Sequence, residues 1–419
     1  MTIANDPSRM PSWLFCLILS IVPVSVALLG FSAKHGFLGL PRFGEVFREQ
    51  AMEPVKEFAP PVKRNDVGYD GQFYAQIALD PTLSDPALRK ACDNIGYRAK
   101  RIALPSLAYV LGAGRPWLVL QIYSLLNVAF WFLLLIVLLG QFGVDTWNSR
   151  LLIIGILWNA GSLISIGRAL TDLPALCLGV TAVCLQTNRT IKFSTSTRSS
   201  IGVWLLGSVA ASLSVLTKET AILSLISFSN GPFRRRWWQI LASAGIILVP
   251  IGLWAIYVRN QVGNDVTAFG NFSFPSYGFV NKLSVEWRKA ILEFPRLPLL
   301  EMIAPWTIAV QIVFMLRETS WRSKWWQFGI GFVVLAIVIS PWVWATQSAY
   351  SRCLLPLTVS FNVLLSQSTL SRPTHWKWWV WGNLGFLDRA AFGILLLVIS
   401  EVVWRRYFWA KVAPLDSSR

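Results

Sequence analysis

The chain is expected to be all-α, folded as a polytopic bundle of transmembrane helices, and three observations lead there. Charged residues are 14% of the 419 and hydrophobic residues 54%, whereas a soluble chain carries about a quarter charged residues. Several apolar runs reach the roughly 20 residues that a helix needs to cross a hydrocarbon layer about 30 Å thick. Those runs are long and aliphatic rather than short and alternating, which argues against a barrel.

Residues 1–11 read as a cytoplasmic tail. The run 12–31 lacks a Lys/Arg-rich start and a small-residue cleavage site, so it reads as an uncleaved first helix. A polar segment, 32–101, follows, with 11 Lys/Arg against 9 Asp/Glu. It is expected as a long first external loop carrying short interfacial helices. Segment 102–113 is apolar but short, and reads equally as a re-entrant helix or a crossing. Further spans are expected near 117–140, 150–167, 171–186, 201–217, 219–230, 237–257, 300–316, 326–345, 352–368 and 386–403, which makes 10–12 in all. They form a helical domain over 102–403 with a second external loop at 258–299, followed by a basic tail at 404–419.

The net charge of +17 does not gather on one face. It sits in short loops, as at Arg234 to Arg236, Arg317, Arg322 and Lys324, and Arg372 with Lys377. That is how a multispan protein anchors its cytoplasmic loops on anionic lipid, and nucleic acid is not an expected partner. The pairs Trp237-Trp238 and Trp325-Trp326, with Trp376, Trp378 and Trp379, read as interface anchors at span ends. The five cysteines are scattered without metal spacing and read as small buried hydrophobes. Placing loops 141–149, 187–200, 231–236, 317–325 and 369–377 in the cytoplasm leaves 32–101, 168–172, 218–219, 258–299 and 346–352 on the opposite face.

That face collects the candidate chemistry, because charges at the mouths of apolar helices are costly unless they line a polar cavity. The densest stretch is Asn65-Asp66-Val67-Gly68-Tyr69-Asp70-Gly71-Gln72-Phe73-Tyr74. Its two glycines suit a turn into a helix over 71–79, ended by Asp80-Pro81. Asp70 is the first candidate general base and Asp66 the second; capping and an exposed turn are the plainer roles for them. Arg98 and Arg101 are candidates to hold phosphate, with snorkelling at the interface as the alternative. Arg168, Lys218 and Arg352 are three further candidates. Arg168 and Asp172 flank a helix start where Thr171 or Asp172 suits a cap, Lys218-Glu219 sits at a span junction, and Arg352 enters an apolar helix ahead of Pro356. Tyr69, Gln72, Tyr74, Asp172 and Glu219 are supporting candidates. His35 and His375 stand far apart, and no HExxH, Walker A, GxGxxG or GxSxG pattern occurs.

The segments Tyr69 to Tyr74, then Tyr97-Arg98-Ala99-Lys100-Arg101 with Pro105, and the later G-R-A-L-T-D-L-P, T-K-E-T and R-C-L-L-P-L stretches resemble the GT-C superfamily of polyprenyl-phosphate-sugar-dependent membrane glycosyltransferases, in particular bacterial mannosyltransferase-like proteins. The resemblance implies a bundle of about 10–13 helices in a bacterial inner membrane with its active face outside the cytoplasm. It also implies a catalytic acid in the first loop, matched best by Asp70. Arg168, Lys218 and Arg352 would then meet the donor phosphate, and the acceptor would be a glycan, lipid or protein. The first loop lacks an adjacent acidic pair or D-x-D, so no metal or other cofactor is expected, and a divalent cation is unsupported. A multispan transporter or flippase of lipid-linked or small polar substrates is the alternative from another class.

Overall fold

The computed structural model describes residues 10–62, 65–187, 197–228, 237–263, 269–293, 299–318 and 320–387. Among them the chain is helical, with three isolated β-bridges and no sheet. The tails 1–11 and 404–419, the span 386–403 and the loops 187–200 and 231–236 lie wholly or largely outside the described residues.

Among the described residues, three helices are long and apolar enough to cross a membrane: Ser12–Leu29, Pro116–Phe142 and the stretch Leu241–Val262 of a longer helix. At 1.5 Å per residue the 27-residue Pro116–Phe142 helix is about 40 Å long. By the same measure Ala103–Leu111, with 9 residues, reaches only about 14 Å, so segment 102–113 does not cross by itself.

Several expected spans are interrupted. The run 150–167 divides into Trp147–Leu157 and Ala160–Gly167, because the Asn159 side chain accepts from Gly161 N–H and starts a new helix. The run 326–345 stops at Val338 and restarts as Pro341–Trp344, as the restriction on the residue before a proline requires. The run 352–368 falls into Gln347–Cys353 and Leu355–Gln367, with Pro356 in the first turn of the second. Residues Glu219–Phe228 wind as a 3-10 helix.

These interruptions correct the reading of several tryptophans. The indole N–H of Trp131 donates to the carbonyl of Leu157, the last residue before the 158–159 break, at 3.1 Å. Carbonyls at a helix end lack intrahelical partners, and buried indoles fill that need here. Trp326 donates likewise to Met315 in the last turn of its helix, Trp158 to Leu19, four residues before Pro23, which has no N–H to offer it, and Trp379 to Leu151 within its helix. Trp325, Trp326 and Trp379 are buried in the largest apolar core and do not lie at the interface, whereas Trp376 is exposed.

The polar segment 32–101 carries five short helices: Glu45–Arg48, Glu53–Phe58, Gly71–Leu79, Pro86–Ala91 and Ile95–Arg98. Phe73, Ile77, Leu88, Ile95 and Ile102 share a second core with Leu120 and Tyr123 of the Pro116–Phe142 helix. Gly71–Leu79 is not an interfacial helix, for every residue from Gly71 to Ala78 is buried. It tolerates two buried glutamines because each stitches loop backbone on both sides. Gln72 accepts from Gly44 N–H and donates to the Val67 carbonyl, both at 2.9 Å. Gln76 accepts from Met52 N–H and donates to the Ala91 carbonyl, also at 2.9 Å.

Both glycines of the motif are required by this packing. Gly68 has φ +71°, and a methyl there would overlap the backbone of Arg42 and Gly44. A methyl on Gly71 would overlap the carbonyl oxygen of Arg168, so the start of this helix rests directly on the 168–169 backbone. Gly71→Ala is expected to cost about 1–3 kcal/mol through forced backbone displacement. Gly140→Ala, in a helix where nothing lies within 4 Å, should instead be neutral or gain up to about 1 kcal/mol. Thermal unfolding of the two purified variants in one detergent checks the contrast.

Candidate active site

Three stretches of chain meet at Gly71, whose position is crowded by the carbonyls of Pro41, Arg168 and Ala169. Ala169 has φ +48°, a backbone strain for a residue with a Cβ. The strained turn is held by Tyr123 Oη donating to the Ala169 carbonyl at 2.7 Å and Asn127 donating to Leu170 at 2.8 Å. This fixes where the next helix, Asp172–Thr187, begins.

Asp172 does not use its carboxylate as a cap. Its side chain is 4% exposed, with Lys218 Nζ on Oδ1 and Arg352 on Oδ2 at 3.1 Å. Arg352 also donates to the Ser348 carbonyl at 2.7 Å and to Tyr69 Oη at 3.1 Å. Glu219, next to Lys218, takes a two-pronged bond from Arg101 at 2.7 and 2.8 Å. Arg101 donates to Tyr74 Oη, as does Arg98 at 3.3 Å. Arg98 then reaches Asp70 Oδ1 at 3.0 Å, and Asp70 is bonded through the chain to Tyr69. The contacts close a ring: Tyr69, Asp70, Arg98, Tyr74, Arg101, Glu219, Lys218, Asp172, Arg352 and back to Tyr69.

Arg98 and Arg101 are buried rather than snorkelling, and their guanidiniums lie over aromatic rings. Arg98 is 5.0 Å from the Phe73 centroid and Arg101 is 4.7 Å from that of Tyr97. Arg98 also grips Asp93 at 2.7 and 3.0 Å, a residue that the motif reading passed over. The only sequence signal for Asp93 is its place five residues before Arg98. With Asp93 included, four carboxylates face four cations.

Asp70 sits at the first position before its helix without capping it. Its side chain is 34% exposed, and Oδ2 has no partner among the described residues. Burial raises its carboxyl, but the charges of Arg98, Arg352 and Arg101 with the Arg98 hydrogen bond outweigh that and hold it below its ordinary value. Burial likewise pushes the Tyr97 phenol up to about 12, the Arg101 charge opposing it, so the phenol stays neutral. The Cys92 thiol is raised to about 12, first by burial, and is inert.

Three predicted residues fall outside the ring. Asp66 closes its own turn, accepting from Gly68 N–H at 2.9 Å, and lies 3.7 Å from Arg42. Gln72 serves the loop backbone described above. Arg168 lies beside the ring, over Tyr69 at 5.2 Å. No family model, curated protein or solved structure matches the chain. The case for a site therefore rests on these residues.

One small space adjoins the ring, and a larger groove lies elsewhere. A cavity of about 20 Å³, room for a single water, runs inward from Asp172, Lys218 and Arg352 between Leu176, Phe328 and Phe332. An open apolar groove of about 440 Å³ lies between Ile102, Leu216, Pro250, Leu253, Trp254 and Tyr257. Ile102 follows Arg101 in the chain, and Leu216 stands two residues before Lys218. Among the described residues, no three His, Cys, Asp or Glu side chains gather as a metal site.

Sequence reasoning also missed Lys282 and Glu286. They pair at 2.8 Å on the buried side of Tyr277–Glu293, and Lys282 donates to the Ala345 carbonyl at 3.0 Å, just ahead of the helix that carries Arg352. Their helix is turned inside out, with Val280 and Trp287 exposed.

Asp172→Asn leaves two buried cations sharing no carboxylate and is expected to cost about 3–5 kcal/mol. Asp66→Asn keeps the turn acceptor and loses a loose ion pair, for less than about 1 kcal/mol. Denaturation of matched detergent samples separates them.

Proposed function

We propose that the chain is a multi-pass membrane glycosyltransferase that moves a sugar from a polyprenyl phosphate to an acceptor hydroxyl. Its expected setting is the extracytoplasmic face of a bacterial inner membrane, within a bundle of 10–12 spans. The observation that carries the reading is the balanced ring that leaves one carboxylate oxygen, Asp70 Oδ2, unpartnered on a side chain 34% exposed, in a fold that also holds an open apolar groove whose lining includes Ile102, next in sequence to Arg101. A lipid-linked donor needs both halves of that arrangement: an apolar channel for the carrier and fixed cations for its phosphate.

In this mechanism the acceptor oxygen attacks the anomeric carbon, a new glycosidic bond forms, and the bond from the anomeric carbon to the phosphate oxygen breaks. Asp70 Oδ2 takes the acceptor proton as the oxygen acquires positive character. The electron pair of the broken bond leaves on the phosphate, stabilised by fixed cations. Arg352 uses three of its five N–H donors within the protein, which leaves two for phosphate, and Lys218 stands beside it. Arg101 and Arg98 supply further positive charge in the ring. Tyr69, Tyr74, Asp172 and Glu219 hold those cations in place.

A transporter or flippase is the second reading, favoured by one observation. The helix breaks at 158–159 and 354 pack against each other, with Gly161 against the Ser351 carbonyl, and discontinuous helices serve substrate sites in transporters. Proteoliposomes holding radiolabelled polyprenyl-phosphate sugars separate the two. Under the transferase reading, Asp70→Asn retains donor lipid but loses transfer by about 10²–10⁴-fold. Label crossing the bilayer with no transfer from any donor would overturn it.

The pH profile follows from the same carboxylate. Asp70 is held below its ordinary value, so it remains ionised and its acid limb falls below the usual carboxylate range. Arg98→Lys keeps a charge but cannot serve Asp70 and Asp93 together, so burial regains weight and the limb moves to higher pH. Initial rates from pH 4 to 8 for both proteins test the sign.

A further inference from the structure

The ring is balanced, and the positive charge left over beside it belongs to Arg168. Among the described residues Arg168 makes no ion pair; its guanidinium lies over the Tyr69 ring at 5.2 Å, next to Arg352 at 5.3 Å from the same ring. Arg42 is brought to the same place by backbone contacts. Its carbonyl accepts from Tyr69 N–H at 3.0 Å, and the carbonyls of Pro41 and Arg168 both crowd Gly71. Arg42 has φ +51° and a side chain 44% exposed, held only loosely by Asp66 at 3.7 Å.

Backbone contacts at Tyr69 and Gly71 therefore bring two arginines to neighbouring positions, with one weakly engaged carboxylate, Asp66, on Arg42. Arg352 is already committed to Asp172, Ser348 and Tyr69, whereas Arg168 has a planar fork of donors aimed at no acceptor. Burial and the nearby charge of Arg42 both disfavour the Arg168 cation, a cost that a bound anion removes. Forked guanidiniums recognise phosphate by paired N–H···O bonds.

We propose that Arg42 and Arg168 form a second anion site, separate from the Lys218–Arg352 pair, that takes a phosphate group. It builds on the transferase reading by assigning this phosphate to the acceptor side, so that a phosphorylated acceptor is held by Arg168 while Asp70 faces its hydroxyl. The phosphate belongs either to a lipid headgroup or to a water-soluble molecule.

The test uses the full chain in phosphatidylcholine nanodiscs and needs no transfer activity, so it stands or falls apart from the catalytic assay. Phenylglyoxal modifies accessible arginines, and mass spectrometry reads the rate at each one. Inorganic phosphate at millimolar concentration, or phosphatidic acid placed in the disc, is expected to slow modification of Arg168 and Arg42 at least fivefold and to leave exposed Arg115 unchanged. Protection by free phosphate assigns a soluble source, and protection by phosphatidic acid alone assigns a headgroup.

Radiolabelled phosphate or phosphatidic acid binding should weaken about tenfold in Arg168→Gln and severalfold in Arg42→Gln. It should change less than twofold in Arg115→Gln. Equal modification rates with and without both probes, or losses in Arg168→Gln no larger than in Arg115→Gln, overturn the site. The protection arm uses the unmutated chain and stays decisive if a variant misfolds. Protection without any sugar transfer keeps the anion site and removes its assignment to an acceptor.

Discussion

Everything at the candidate site hangs from one buried carboxylate, Asp172. An ionised carboxylate removed from water is costly by several kcal/mol unless it is paired and hydrogen-bonded, and Asp172 meets that demand with two cations. Those cations come from parts of the chain far from it and from each other: Lys218 at the end of one helix and Arg352 in a short helix much later. Pairing them draws three helix ends to one point. Glu219 and Tyr69 follow because they are covalent or hydrogen-bonded neighbours of those cations, and they bring in Arg101 and Asp70. Side chains alone would not hold this assembly, and the strained turn at Ala169 pressed against Gly71 supplies the rigid floor.

The local part of this arrangement was legible in the sequence. The helix over 71–79 is bounded by a glycine turn and by Asp80-Pro81, signals that act within a few residues, and the structure ends it at Leu79. The charged residues at span ends were also legible as a group, because apolar surroundings make them conspicuous. Their partners were not. Asp172 precedes a helix and looks like a cap, and nothing within four residues reveals that Lys218 and Arg352 wait 46 and 180 positions away. Asp93 sits in Cys92-Asp93-Asn94 and resembles any exposed loop acid until Arg98 folds back on it. Asp66 matched Asp70 in type and context, and only the fold separates a turn residue from a ring member.

Other features were hidden because hydropathy averages over them. Asn159 and Ser340 are neutral and small, so the runs that contain them stay apolar while the helices break. The break after Leu157 frees a carbonyl that the buried indole of Trp131 satisfies, while Trp326, read as an interface anchor, bonds the Met315 carbonyl inside the core. Lys282 and Glu286, unremarked within the expected loop 258–299, pair on a buried helix face while Trp287 is exposed.

The closed form of the charged ring has a consequence for its genetics. In an open chain of contacts, any single cut separates the two ends. In a loop, one cut leaves every member connected by the other path, and only a second cut divides it. Substitutions at two distant links, such as Tyr74 and Arg352, are therefore expected to harm the protein by more than the sum of their separate effects, even though the two side chains share no contact. Evolution along this constellation would then pass readily through single losses and be blocked at pairs, so a map of epistasis across the loop would trace its circumference.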